Sequence, residues 1–173
     1  MRKSVIAAVL GAALVLGGCT AQTGAAAVVD GQAISTVTLD RTTRELGELF
    51  TVDARGVLTM LIISPSYLAE ASANGVAKSR DEARAYLAGL VSADPGSDTD
   101  VSRFSEATLD LVRFDMAVRA LSQLPEAQEI GARVQEHLAG LDVEVNPRFG
   151  EFSAQTTAIA PVIPDWLVQP ATA

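Results

Sequence analysis

Apolar residues recur at helical intervals through most of this chain, and the breaks between the intervals are well marked. After Ser35, the residues Leu39, Thr43, Leu46 and Phe50 fall on one side of a helix, with Asp40, Arg44, Glu45 and Glu48 mostly off it. Ser35 is placed to cap it by accepting a first-turn N–H bond. Val57, Leu58, Leu61, Ile62, Leu68 and Ala69 predict a second helix. Pro65 falls inside it, so that helix either kinks there or yields to a new one capped by Ser64. Asn74-Gly75 ends it, glycine being the usual left-handed residue past a helix C-terminus. Ser79 and Glu82 stand at capping-box spacing before Ala83, Tyr86, Leu87 and Leu90. The stretch SADPGSDTD, residues 92–100, is a loop. Phe104, Ala107, Leu111, Phe114, Val118 and Leu121 then predict a long amphipathic helix. Pro125 opens a last one, with Glu126 and Glu129 near its positive end and Ala127, Ile130, Val134, Leu138 and Leu141 as its apolar line.

At Gly140 the period changes. Leu141, Val143 and Val145 alternate with polar residues, which predicts a strand near 142–145. A lone strand leaves its backbone groups unpaired. The clearest partner is VVDGQAI, residues 28–34, where Asp30-Gly31 marks a tight turn between short extended pieces. The expected fold is therefore mainly α, about five helices in one domain, with a small β element pairing 28–34 with 142–145. Residues 146–150 (NPRFG) read as a turn, and Pro161, Pro164 and Pro170 predict an extended C-terminal tail over 151–173. Trp166, Leu167 and Val168 are the residues expected to pin that tail to the helical body.

The start of the chain follows a different logic. Arg2 and Lys3 precede an apolar run from Val5 to Gly18, shorter than the roughly 20 residues a membrane span needs. Leu16-Gly17-Gly18-Cys19 resembles a bacterial lipobox, which implies a lipoprotein signal peptide over 1–18, cleavage before Cys19 and a diacylglycerol on its thiol. Cys19 is the one cysteine in the chain, so an intrachain disulfide is excluded. Residues 19–27 then form a short polar tether and 28–150 the helical domain. With Arg2 and Lys3 removed from 13 basic residues, 11 face 21 acidic ones, a formal −10. That balance repels nucleic-acid phosphates and anionic head groups, so the lipid alone must hold the protein at the extracytoplasmic face of the membrane.

The order AVVDGQAIS, an immediate helix, then VLTMLIISPSYLAEASANGVAKSRDEARAYL resembles the N-terminal domain of SurA-type chaperones, shared with PrsA-like foldases. Val28, Val29, Gly31, Ile34 and Ser35 match its first segment, Leu58, Leu61, Ile62 and Ala71 its second helix, and Gly75, Val76, Ser79, Glu82 and Ala83 the step into its third. Asp30 stands where the family has Asn. VEVNPRFGEF followed by DWL resembles the ending of small lipoproteins of this kind. Larger family members carry a parvulin isomerase domain. This chain has no room for one and holds a single histidine where a parvulin site uses a pair. The resemblance implies the chaperone-like part without the isomerase.

Candidate chemistry is sparse. His137 borders an apolar stripe near a helix C-terminus and reads as a boundary histidine. No second His or free Cys joins it as a metal ligand, and no G-x-S-x-G elbow is present. Asp94, Asp98 and Asp100 cluster in one loop without EF-hand spacing, so a solvated loop is expected rather than a calcium site. Phe104 and Phe114 belong to the apolar stripe and are expected mainly in the core. Met116 lies off it and is the better candidate for an adaptable client contact. The expectation is a non-enzymatic, membrane-anchored protein with no cofactor beyond the covalent lipid, binding unfolded or secreted polypeptides without ATP. The alternative is a non-catalytic scaffold or accessory lipoprotein of a cell-envelope complex.

Overall fold

Asp30 and Gly31 both take positive φ, 47° and 78°, as the two central positions of a type I′ hairpin turn require. The turn joins β1 (Ala25–Val29) to β2 (Gln32–Ser35), with Val29 opposite Gln32 and Ala27 opposite Ile34. On the other side of β1 lies β3 (Val143–Val145), antiparallel, with Val29 opposite Val143 and Ala27 opposite Val145. The strand order is β2-β1-β3, so the expected pairing of 28–34 with 142–145 is present and joins the two ends of the helical region. The side chains of Ile34, Ala27 and Val145 share one face of this sheet and pack on the helices.

The computed structural model describes residues 24–94 and 96–162. Cys19, the signal segment and Trp166, Leu167 and Val168 lie outside them. The tether expected over 19–27 ends earlier than its composition suggested. Ala25, Ala26 and Ala27 are buried in β1, where small side chains let the strand lie close to the helices.

Five helices follow in the expected order. Ser35 caps α1 (Thr36–Gly47) by accepting from the Thr38 N–H. Asp53 caps α2 (Ala54–Ala73). Pro65 resolves as a residue within one continuous helix. It sits exposed on the solvent side, where water can satisfy the Leu61 carbonyl left without a donor. α2 is the central element, packed on α1, α4, α5, β1 and β5, which is why it is apolar almost all round. Ser79 and Glu82 form the expected capping box at the start of α3 (Arg80–Ala93). After a loop and a 3₁₀ turn at Val101–Arg103 come α4 (Glu106–Leu121) and α5 (Ala127–Ala139).

Two expectations need correction. The buried face of α4 comprises Thr108, Leu109, Leu111, Val112, Ala117 and Leu121, so it is rotated from the predicted stripe, and Val118 is exposed. The rotation follows from α4 packing on α2, α3 and α1 together, not on one neighbour. The tail is not simply extended either. β4 (Glu151–Ser153) and β5 (Ala158–Ala160) form a second antiparallel hairpin, with Phe152 opposite Ile159. Ile159 is buried against the helices. Gly150, at φ 121°, turns the chain into β4 where a Cβ would collide with the Ala160 carbonyl.

Candidate functional site, an apolar pocket between four helices

The end of α1 and the loop after it contribute Leu46, Phe50 and Val52 to a pocket of about 250 Å³. Its other walls are Met60 of α2, Tyr86 of α3, and Leu111 and Val112 of α4. Asp115 and Arg119, one turn apart on α4, close the rim as an ion pair with Nε to Oδ2 at 2.9 Å. Phe50 is 41% exposed and Tyr86 38%, so two aromatic rings stand half in water at the mouth. Leu46, Leu111 and Val112 are nearly fully buried beneath them.

The walls are held by polar locks. On one side the Glu45 carboxylate accepts from the Ser105 N–H at 2.8 Å, the Ser105 Oγ at 2.7 Å and the Thr108 hydroxyl, and from Arg41 Nε at 2.8 Å. This places a carboxylate at the positive N-terminus of α4 and ties α1 to it. Burial pulls its pKa upward, but the bonds from Thr108, Ser105 and Arg41 outweigh that and hold it below the usual carboxylate value. On the other side Arg80 of α3 makes a two-pronged bond to Asp110 of α4, at 2.9 and 2.6 Å, and Arg113 donates to the Lys78 carbonyl at 2.6 Å. Asp110 is partly buried, and although burial raises its pKa, Arg80 and Arg113 keep it low and ionised. These locks join the helices that carry Leu46, Tyr86 and Leu111.

Phe104 and Phe114, expected mainly in the core, and Met116, the better candidate for a client contact, all lie away from this pocket. Phe104 is 7% exposed and sits against the core. Phe114 is half-buried and meets Tyr67 edge-on, with centroids 5.1 Å apart. Met116, expected to be exposed, is half-buried against the core, because the rotation of α4 turns it inward. None of the three lines the apolar pocket, and the structure does not bring them together as a site. Phe50 and Tyr86 do line it. Their spacing marked them as apolar helix positions, and only the packing of α1 and α3 on α4 makes them neighbours.

A second cleft, of about 560 Å³, is charged. Arg41, Arg44 and Glu45 of α1, with Glu48 just past its end, face Asp98, Asp100 and Arg103 across it. In the neighbouring loop, Asp94 accepts from the Gly96 N–H, and Asp100 accepts from Ser102 through both its N–H and its Oγ. These carboxylates are thus engaged in turn and cap bonds. His137 is exposed and its Nδ1 lies 2.9 Å from Ser66 Oγ. Ser66 is 4% exposed in the middle of α2, so this pair knits α2 to α5 and offers no open nucleophile.

The apolar pocket is smaller than the roughly 300–1,000 Å³ of drug-sized ligand sites and open at its mouth. Its scale suits one or two large side chains of another polypeptide. Its lining offers apolar contact, one tyrosine hydroxyl and one ion pair, a set suited to burial and release. No protein-family model, curated protein or solved structure matches this chain.

Proposed function

We propose that this protein is a chaperone-like binder, held at the extracytoplasmic face of the membrane by a lipid on Cys19, that takes up apolar segments of unfolded or secreted polypeptides without ATP. The observation that carries the reading is the pocket with Phe50 and Tyr86 half-exposed at its mouth over a floor of Leu46, Leu111 and Val112. Large apolar rings left partly in water gain free energy when a client side chain covers them. A pocket this small gives weak, reversible binding, so release needs no nucleotide. Anchoring compensates by raising the local concentration of binding sites where chains emerge. The resemblance of the sequence to SurA-type N-terminal domains supports the same reading.

The test is suppression of aggregation of a chemically unfolded model client by the full chain in detergent micelles or vesicles. Suppression that falls when Phe50 and Tyr86 are both replaced by serine is expected. No suppression at molar excess, or capture of one stoichiometric folded partner instead, would sink the reading.

A further inference from the structure

Among the described residues, no strand pairs with the outer edge of β2. In β1 the backbone groups of Ala26 and Asp30 turn toward β3: Asn146 N–H donates to the Ala26 carbonyl at 2.9 Å, and Asp30 N–H to the Asp142 carbonyl at 2.8 Å. The alternate residues Ala27 and Val29 therefore bond to β2, through Ile34 and Gln32. Ala33 lies between those two, so its N–H and C=O turn away from β1 and out of the sheet. The order β2-β1-β3 puts no described strand beyond it, and Gln32 and Ala33 are exposed.

Natural edge strands are usually guarded by brevity, charge, proline or a covering element, and β2 is short, at four residues. Gln32, Ala33, Ile34 and Ser35 include no charge and no proline. Two residues further on, Val37 in the first turn of α1 is 75% exposed, the most exposed large apolar side chain among the described residues. An unpaired donor and acceptor, with an uncovered valine four residues further along the chain, is the chemistry that receives an extended strand.

We propose that β2 is a second polypeptide-binding surface, on which an extended segment of an unfolded chain adds as an antiparallel or parallel strand, bonding to Ala33 and laying an apolar side chain on Val37. The proposal rests on the reading that the protein receives unfolded polypeptide, and assigns the backbone-recognising part of that task to this edge. Backbone bonding does not depend on client sequence, which complements an apolar pocket that selects large side chains. A second copy fits less well. Two four-residue strands meeting edge to edge bury far less than the roughly 1,000 Å² of a stable interface.

The experiment is fluorescence anisotropy of a short, fluorescein-labelled alternating Thr–Val peptide titrated with the full chain in detergent micelles. Ala33→Pro removes the outward N–H at a position where an edge strand tolerates proline. It is expected to weaken binding about tenfold, the effect of losing one or two backbone bonds. Ala33→Ser, which keeps the N–H, is expected to bind as the parent does. The same peptide N-methylated at alternate residues is expected to lose binding to the unaltered protein, a control that does not depend on how any variant folds. Equal binding by Ala33→Pro and parent, or undiminished binding of the N-methylated peptide, would overturn the proposal, as would no binding of the parent peptide at all. If binding instead falls only when Phe50 and Tyr86 become serine, the pocket reading stands and the edge reading does not. If the chain dimerises and Ala33→Pro abolishes dimerisation without affecting peptide binding, the edge serves self-association and the proposal is wrong.

Discussion

Glu45 and Ser105, 60 residues apart, are joined twice: the Glu45 carboxylate accepts the Ser105 backbone N–H at 2.8 Å and its hydroxyl at 2.7 Å. Ser105 is also the N-cap of α4, accepting the Thr108 N–H. One carboxylate thus fixes a helix start and clamps α1 against it.

Replacing Glu45 by alanine leaves those donors without their acceptor and is expected to cost about 1–3 kcal/mol in urea unfolding at neutral pH. The effect depends on pH in a definite direction. The folded pKa of Glu45 lies below its ordinary value of 4.5, so its contribution is complete above that value and is lost as pH falls through the folded pKa. The stability gap between parent and Glu45→Ala should therefore narrow in acid. A gap that stays constant from neutral pH to below the folded pKa would show that the carboxylate charge does not stabilise the junction.

Val143→Asp tests the closure of the domain. Val143 lies opposite Val29 and is half-buried against the core. A carboxylate there is expected to destabilise the domain by about 1–3 kcal/mol. Because the sheet joins both ends of the helical region, fluorescence and far-ultraviolet circular dichroism should shift together in one transition. Loss of the strand alone, with the helices melting as before, would separate the sheet from the cooperative unit.

The placement of Glu45 also shows where the sequence was silent. By residue type Glu45 reads with Asp40, Arg44 and Glu48, mostly off the apolar face of Leu39 and Leu46. In the structure it is 8% exposed, since its partners come from the start of a helix three elements later. Periodicity describes one helix at a time and says nothing of what faces its flank. The same limit explains α4, whose burial on three sides rotates the face away from Val118 and draws Met116 in. By contrast, the caps at Ser35 and Ser79, the Asp30-Gly31 turn and the β1–β3 pairing were legible, because each follows from local chemistry or from the need to pair a backbone. The hairpin at 151–160 was not. Its turn lacks glycine, asparagine and proline, and Thr157 takes the positive φ of 48°. The apolar pocket could not be read at all, since its walls come from four separate helices and a loop.

Phe50→Ser with Tyr86→Ser should separate binding from stability. Both rings are more than a third exposed, so their removal costs the fold little. Thermal unfolding is expected to stay nearly unchanged while client protection falls. A large drop in stability would instead assign the two rings to the core.

Cys19→Ala tests the anchor, which lies outside the described residues. The variant is expected to appear as uncleaved precursor or to leave the membrane fraction, and to lack the mass of a diacylglycerol. Retention in the membrane with an unchanged mature mass would contradict the lipid reading.

Because β1 and β3 run antiparallel, the start of β1 at Ala25 lies beside the end of β3 at Val145 and Asn146. A mechanical pull between the segment before Gly24 and the segment after Asn146 therefore opens the pair from one end. Asn146 lets go of the Ala25 and Ala26 carbonyls first, then the bonds further along yield in turn, ending with Asp30 on Asp142. The load falls on one rung at a time and is never shared across all of them. Loaded at those two points, the sheet would thus part under modest force, leaving the helices to follow.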